Sequence, residues 1–198
     1  MRRIGAPAAL AGLGVLLTLL MTVPVGLVPG LGDYARPVLV GVAWAAFAAA
    51  ILIVRRVPQP LAVRLVLVGA VAMPLAGALV PPTDSDDVYR YVWDGRVQAA
   101  GIDAYQYPPA ATALVPLRDP ELWPPSARWC VPSGPGVTAG CTLINRPTER
   151  SIYPPAAQVY FHLVHGASPS GSLARPFQLA GAMLAIATTL VLLRSARA

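Results

Sequence analysis

The sequence predicts an all-α integral membrane protein with about four transmembrane helices and a long outer loop that contains short interfacial helices, a partial bundle without strands. Three observations lead there. The 198-residue chain is 56% hydrophobic and only 12% charged, with a mean hydropathy of +0.58. A soluble domain carries about 25% charged residues, so the charge present is too little to cover a water-facing surface. The charges are also segregated, since eight of the nine acids fall between Asp84 and Glu149. Finally, four uncharged stretches run Ile4 to Gly32, Pro37 to Val54, Leu65 to Thr83 and Pro176 to Leu193. Each has the length of about 17–25 residues that a helix needs to cross the hydrocarbon layer. Disorder is excluded by the same composition.

The expected spans are about 4–29, 37–54, 62–80 and 174–193, within one membrane domain, 1–198. The first stretch follows Arg2 and Arg3, as a signal peptide would. Its apolar run is too long for one, however, and Pro24, Pro29 and Gly30 end it without a small-x-small cleavage site, so a retained helix is expected. Pro24 and Pro74 each remove a backbone hydrogen bond inside a span and are expected to bend it.

The net charge of +6 comes from 15 arginines and no lysine. Arg2, Arg3, Arg55, Arg56, Arg64, Arg194 and Arg197 stand at span ends with no acid near them. They mark membrane flanks and not a phosphate-binding groove, so no nucleic-acid partner is expected. All of them fall at alternate ends of successive spans. The positive-inside rule then puts both termini in the cytoplasm and segment 81–172 outside, in a multi-pass protein of a bacterial plasma membrane. No acid or histidine lies within a span, which argues against a transporter or channel.

Segment 81–172 holds 14 of the 22 prolines, both cysteines, both histidines and three of the four tryptophans. This composition suggests a compact, loop-rich layer on the outer surface with its aromatics at headgroup level. Cys130 and Cys141 enclose a short Gly/Pro-rich loop in an oxidising compartment, and a disulfide is expected. Two cysteines offer too few ligands for a metal.

The densest chemistry is Asp84-Ser85-Asp86-Asp87-Val88-Tyr89-Arg90-Tyr91-Val92-Trp93-Asp94-Gly95-Arg96. A helix is expected from about Asp86, with Asp86, Arg90 and Asp94 spaced i, i+4, i+8. A surface salt-bridge ladder is one reading of that spacing. Three carboxylates within four residues at the end of a span repel one another, and such packing favours a functional site over a structural one. Farther on, Pro155 opens a short helix placing Gln158, His162 and His165 on one stripe, at the interface or re-entering the membrane. The histidine pair has no adjacent third ligand, and no metal site is assigned.

The string from Ser85 through Tyr105-Gln106-Tyr107-Pro108-Pro109, followed by Ile152-Tyr153-Pro154-Pro155-Ala156-Ala157-Gln158, resembles the bacterial GT-C membrane glycosyltransferases, closest to the mannosyltransferase-like group that uses polyprenyl-phosphate sugars. That group orders an acid-Tyr-Arg-aromatic-x-Trp-Asp-Gly-Arg motif, a Gly-x-Asn-Pro-Tyr motif and a Tyr-Pro-Pro-x-x-Gln motif. Here the second is Gly101-Ile102-Asp103-Ala104-Tyr105, without the Asn-Pro. Members are longer and carry more spans, so the resemblance covers an N-terminal part.

The resemblance implies transfer of a sugar, mannose first, from a polyprenyl-phosphate donor to a hydroxyl of a glycan or lipid acceptor at the outer face. It implies no resident cofactor and leaves a divalent metal open. Asp87, or Asp86 beside it, would be the general base. Arg90, Tyr91, Asp94, Arg96, Tyr153 and Gln158 would bind substrate, with arginines on the phosphate. Besides the bilayer, a second membrane subunit would supply the missing spans. The alternative is a non-catalytic chain that binds a lipid phosphate or scaffolds a complex, or an inactive truncated remnant.

Overall fold

The structure, a computed structural model, describes residues 5–22, 34–82, 85–124 and 142–195. Among the described residues it is all-helical. The helices are α1 (Gly5–Thr22), α2 (Ala35–Val54), α3 (Gln59–Leu79), α4 (Asp87–Ala99), α5 (Pro155–Gly166) and α6 (Arg175–Ser195), with a 3-10 helix at Thr112–Leu117. Four of them, α1, α2, α3 and α6, are long and apolar enough to cross a membrane. The chain divides into two compact units, Met1–Val80 with Gly181–Ala198, and Pro81–Ala180.

In the first unit α1 packs on both α2 and α3. The helices form because predominantly apolar segments in lipid must satisfy every backbone group internally. Hydroxyls within them do the same. The Thr18 Oγ1 donates to the Gly14 carbonyl, and Thr188 and Thr189 donate to Leu184 and Ala185 one turn back. Trp44, Leu52, Val68, Leu79 and, on α6, Leu192 stay exposed, as side chains that meet acyl chains should. α3 starts three residues before the expected 62, because Pro58 serves as its N-cap and Pro60 fits the first turn, where no N–H is needed. The helix continues across Pro74. Pro24 lies outside the described residues.

The second unit is a folded helical core. Trp93, Val92, Val97, Leu114, Leu122, Trp123, Ile144, Phe161 and Phe177 form one buried cluster. This differs from the expected aromatic layer at headgroup level. Trp93 is 1% exposed and meets Trp123 edge-on at 5.7 Å. With helices only 12 or 13 residues long, this unit needs its largest side chains inside to bury enough apolar area. Leu143 N–H donates to the Leu122 carbonyl, and the Thr142 hydroxyl donates to the same oxygen. Leu122 is thereby held against Thr142 and Leu143. The expected Cys130–Cys141 disulfide lies in segment 125–141, outside the described residues.

α4 and α5 pack against each other at Gly95. A Cβ there would stand 2.6 Å from the Phe161 carbonyl oxygen and 2.8 Å from the His165 Cβ. The first obstacle is backbone and cannot rotate away. Gly95→Ala should therefore destabilise the unit by about 1–3 kcal/mol, the range for overpacking, read as a lower thermal midpoint of the detergent-solubilised protein. An unchanged midpoint would mean that α5 shifts freely on α4. α4 ends in a Schellman turn. Gly101 at φ +76° donates to the Gln98 carbonyl, and Ile102 N–H reaches back to the Val97 carbonyl.

Candidate functional site

α4 begins at Asp87 with Asp86 as its N-cap residue. Asp86 makes no side-chain cap; instead the Ser85 hydroxyl accepts the Asp87 N–H at 3.1 Å. Asp87 is the acid of the first turn, at the positive end of the helix dipole. Both carboxylates turn toward one amide. Asn145 Nδ2 donates to Asp86 Oδ1 at 2.8 Å and to Asp87 Oδ1. The side-chain amide has two N–H bonds, and each takes one acid. Two carboxyl groups are thereby held side by side, with Asp86 exposed and Asp87 half-buried.

One turn along, the expected i, i+4, i+8 ladder divides. Arg90 Nε donates to Asp94 Oδ1 at 3.1 Å, in an ion pair 4% and 2% exposed; Asp86 belongs to Asn145 instead. The pair is deep inside the unit and fully engaged. Asp94 Oδ2 accepts from the Ser151 hydroxyl at 2.6 Å and from Gln158 Nε2 at 2.9 Å. Gln98 Nε2 donates to Gln158 Oε1 at 2.8 Å. Arg90 Nη2 donates to the Glu149 carbonyl at 2.8 Å, and Nη1 reaches the Arg146 carbonyl at 3.4 Å. Arg146 adopts φ 44°, a conformation rare for a side-chain-bearing residue. The buried guanidinium thus grips the loop that carries Asn145, and the loop holds the acids.

The expected substrate-binding residues therefore fall into two groups. Arg90, Asp94 and Gln158 are buried in the network that joins α4, α5 and loop 145–151. Arg96 is half-buried, pairs with Asp119 and donates to the Leu117 carbonyl at 3.2 Å. Nearer the acids, Tyr91 stacks on Phe161 with centroids 4.5 Å apart and meets Tyr153 edge-on at 5.0 Å. Burial raises the Tyr153 hydroxyl above its ordinary range, helped by its contact with Tyr91 and by the Asp87 charge. Asp87, Tyr91 and Tyr153 are thus neighbours, and the tyrosine remains a neutral hydrogen-bond donor.

Asn145, Ser151 and Gln98 were not among the expected residues. Neither were Arg146 and Arg150, exposed cations of the loop that presents Asn145. Asn145 and Ser151 flank the Arg146–Arg150 stretch just before the Tyr-Pro-Pro motif, but no local pattern marks which acids they serve. Among the described residues no three His, Cys, Asp or Glu side chains group as a metal would require.

On α5, His165 is depressed below its usual range, first by burial and then by Arg96 and His162. A histidine held neutral in the fold takes up its proton more readily once unfolded. Stability is then full above about pH 6.5, the unfolded value, and declines as pH falls through the window below it. Thermal midpoints measured from pH 7.5 down to 5.5 should drop in the wild type and drop less in His165→Gln. Parallel curves would remove His165 from this account. Comparison with family models, curated proteins and solved structures finds no match.

Proposed function

We propose that this chain, alone or as the N-terminal module of a larger assembly, transfers a sugar from a polyprenyl-phosphate donor to a hydroxyl acceptor, with mannose the first sugar to test. The observation that carries this reading is the pair Asp86 and Asp87, seated together on Asn145 at the end of α4 that follows membrane helix α3. The motif resemblance supports it. In the reaction, Asp87 removes the acceptor hydroxyl proton as that oxygen bonds to the anomeric carbon. The bond from that carbon to the phosphate oxygen breaks, and its electron pair leaves with polyprenyl phosphate. The half-buried Tyr153 offers an aromatic surface against which a sugar ring packs. Arg90 and Arg96 are committed to protein partners, so the exposed Arg146 and Arg150 are the better cations for the phosphate.

A second reading has its own observation. The same engagement of Arg90 and Arg96 in protein contacts fits a scaffold, with the exposed Arg146 and Arg150 left to bind a lipid phosphate without catalysis. Purified protein in vesicles, given labelled polyprenyl-phosphate sugars and hydroxyl acceptors, separates the two. Transfer of label supports the enzyme; donor binding without consumption across the panel supports the scaffold.

The proposed setting is a bacterial plasma membrane with both termini cytoplasmic and segment 81–172 outside, resting on the arginine distribution. With the native cysteines removed, single cysteines at the exposed positions Thr112 and Arg56 test it. A membrane-impermeant thiol reagent should label the first in intact cells and spare the second. The opposite pattern inverts the protein and moves the acid pair to the cytoplasmic side.

A further inference from the structure

We infer that α5 is a membrane-surface helix whose outward stripe is embedded in the lipid of the bilayer that α6 crosses. Its twelve residues carry no acid, arginine or lysine. Gln158 and Phe161 are buried against the unit, yet the opposite face is apolar as well. Ala156, Val159 and Leu163 recur at intervals of three and four, one face of a helix. Val159 is 58% exposed and Leu163 63%, and Ile152 just upstream is 82% exposed. A helix face that meets water is ordinarily polar or charged; this one carries only His162.

The contacts of α5 identify lipid as the occupant. Phe161 and Tyr160 each pack on Phe177 with ring centroids 6.2 Å apart, and the Tyr160 hydroxyl donates to the Phe177 carbonyl at 3.3 Å. Phe177 lies in the first turn of α6, a helix long and apolar enough to span the membrane. α5 is therefore fixed to the point where that span starts. Leu179, 43% exposed, continues the apolar surface along α6. A helix at that level lies in the plane where headgroups meet acyl chains, with its apolar face buried about 5–10 Å deep. Tyr160 suits such a boundary, where tyrosines concentrate.

The inference stands apart from the proposed reaction and needs no activity to test. A benzophenone amino acid is placed at Val159, at Leu163 and, for comparison, at the exposed loop residue Thr148. Each full-length variant is reconstituted in vesicles of phosphatidylethanolamine and phosphatidylglycerol. After irradiation, mass spectrometry should find phospholipid adducts several-fold more abundant at 159 and 163 than at 148. Equal yields at all three positions overturn the inference. So does a predominance of polypeptide adducts at 159 and 163, which would assign the stripe to a second copy or another subunit. Hydroxyl-radical oxidation of the unsubstituted protein in the same vesicles is the second measurement. Leu163 should react several-fold more slowly than Val115, although it is the more exposed of the two, at 63% against 48%. Oxidation of Leu163 at the faster rate overturns the inference independently of any variant.

Discussion

Asp94→Ala should unfold the unit Pro81–Ala180 or leave it barely stable. The substitution strips Arg90 of its carboxylate partner inside a core where the guanidinium is 4% exposed. It also removes the acceptor of the Ser151 hydroxyl and of Gln158. Leaving one member of a buried ion pair uncompensated costs about 3–5 kcal/mol, a large share of what a small domain has. The readouts are a lower thermal midpoint and faster cleavage by protease within the unit. The double variant Arg90→Met with Asp94→Leu distinguishes a missing partner from a missing salt bridge. Apolar residues in place of both charges are often neutral, so the double variant should regain much of the loss. A single variant as stable as wild type would mean that water reaches Arg90 and that the network is not buried in solution.

Asp87→Asn should lower sugar transfer by roughly 10²–10⁴-fold, the contribution of a positioned general base, while donor binding persists. The change keeps size and removes only the basic oxygen. The Asn145 amide then faces another amide, whose carbonyl still accepts its hydrogen bond, so the local geometry is retained. Loss with Asp86→Asn but not with Asp87→Asn would move the base to Asp86. Activity retained by both would place the chemistry elsewhere. Asn145→Ala adds a third comparison. It frees two adjacent carboxylates to separate, and the rate should fall even though both acids remain. Asn145→Ala leaves the buried Arg90–Asp94 pair intact, so its thermal midpoint should stay close to wild type. This separates positioning of the acids from folding of the unit.

The four apolar helices were legible because lipid acts on each segment separately. A run of apolar residues with no charge and no exposed backbone polar group is a local property, and length alone converts it to a span. The ends moved by a few residues where prolines shaped the first turn, as at Pro58 and Pro60 of α3. The start of α4 and the Pro155 opening of α5 were likewise readable from capping and proline preferences.

The roles within Asp86-Asp87-Val88-Tyr89-Arg90-Tyr91-Val92-Trp93-Asp94-Gly95-Arg96 were a different matter. Helical spacing puts Asp86, Arg90 and Asp94 in one row, and the sequence by itself determined that row. Only the tertiary structure decided that Asp94 goes inward with Arg90 while Asp86 and Asp87 stay outward. The deciding groups are distant in the chain. Ser151 lies 57 residues from Asp94, Gln158 lies 64 from it, and Asn145 lies 58 from Asp87. A charge enters a core only where partners converge on it from other elements, and such convergence leaves no periodic trace along one segment. Gly95 follows the same logic, since its need for a bare Cα comes from the Phe161 carbonyl on α5. Composition and periodicity thus determined that this chain is a set of apolar helices of membrane-spanning length with one acid-rich segment among them, because the solvent reads residues one segment at a time. Which acid supports the fold and which faces outward depended on contacts between segments, where burial makes every unpaired polar group costly.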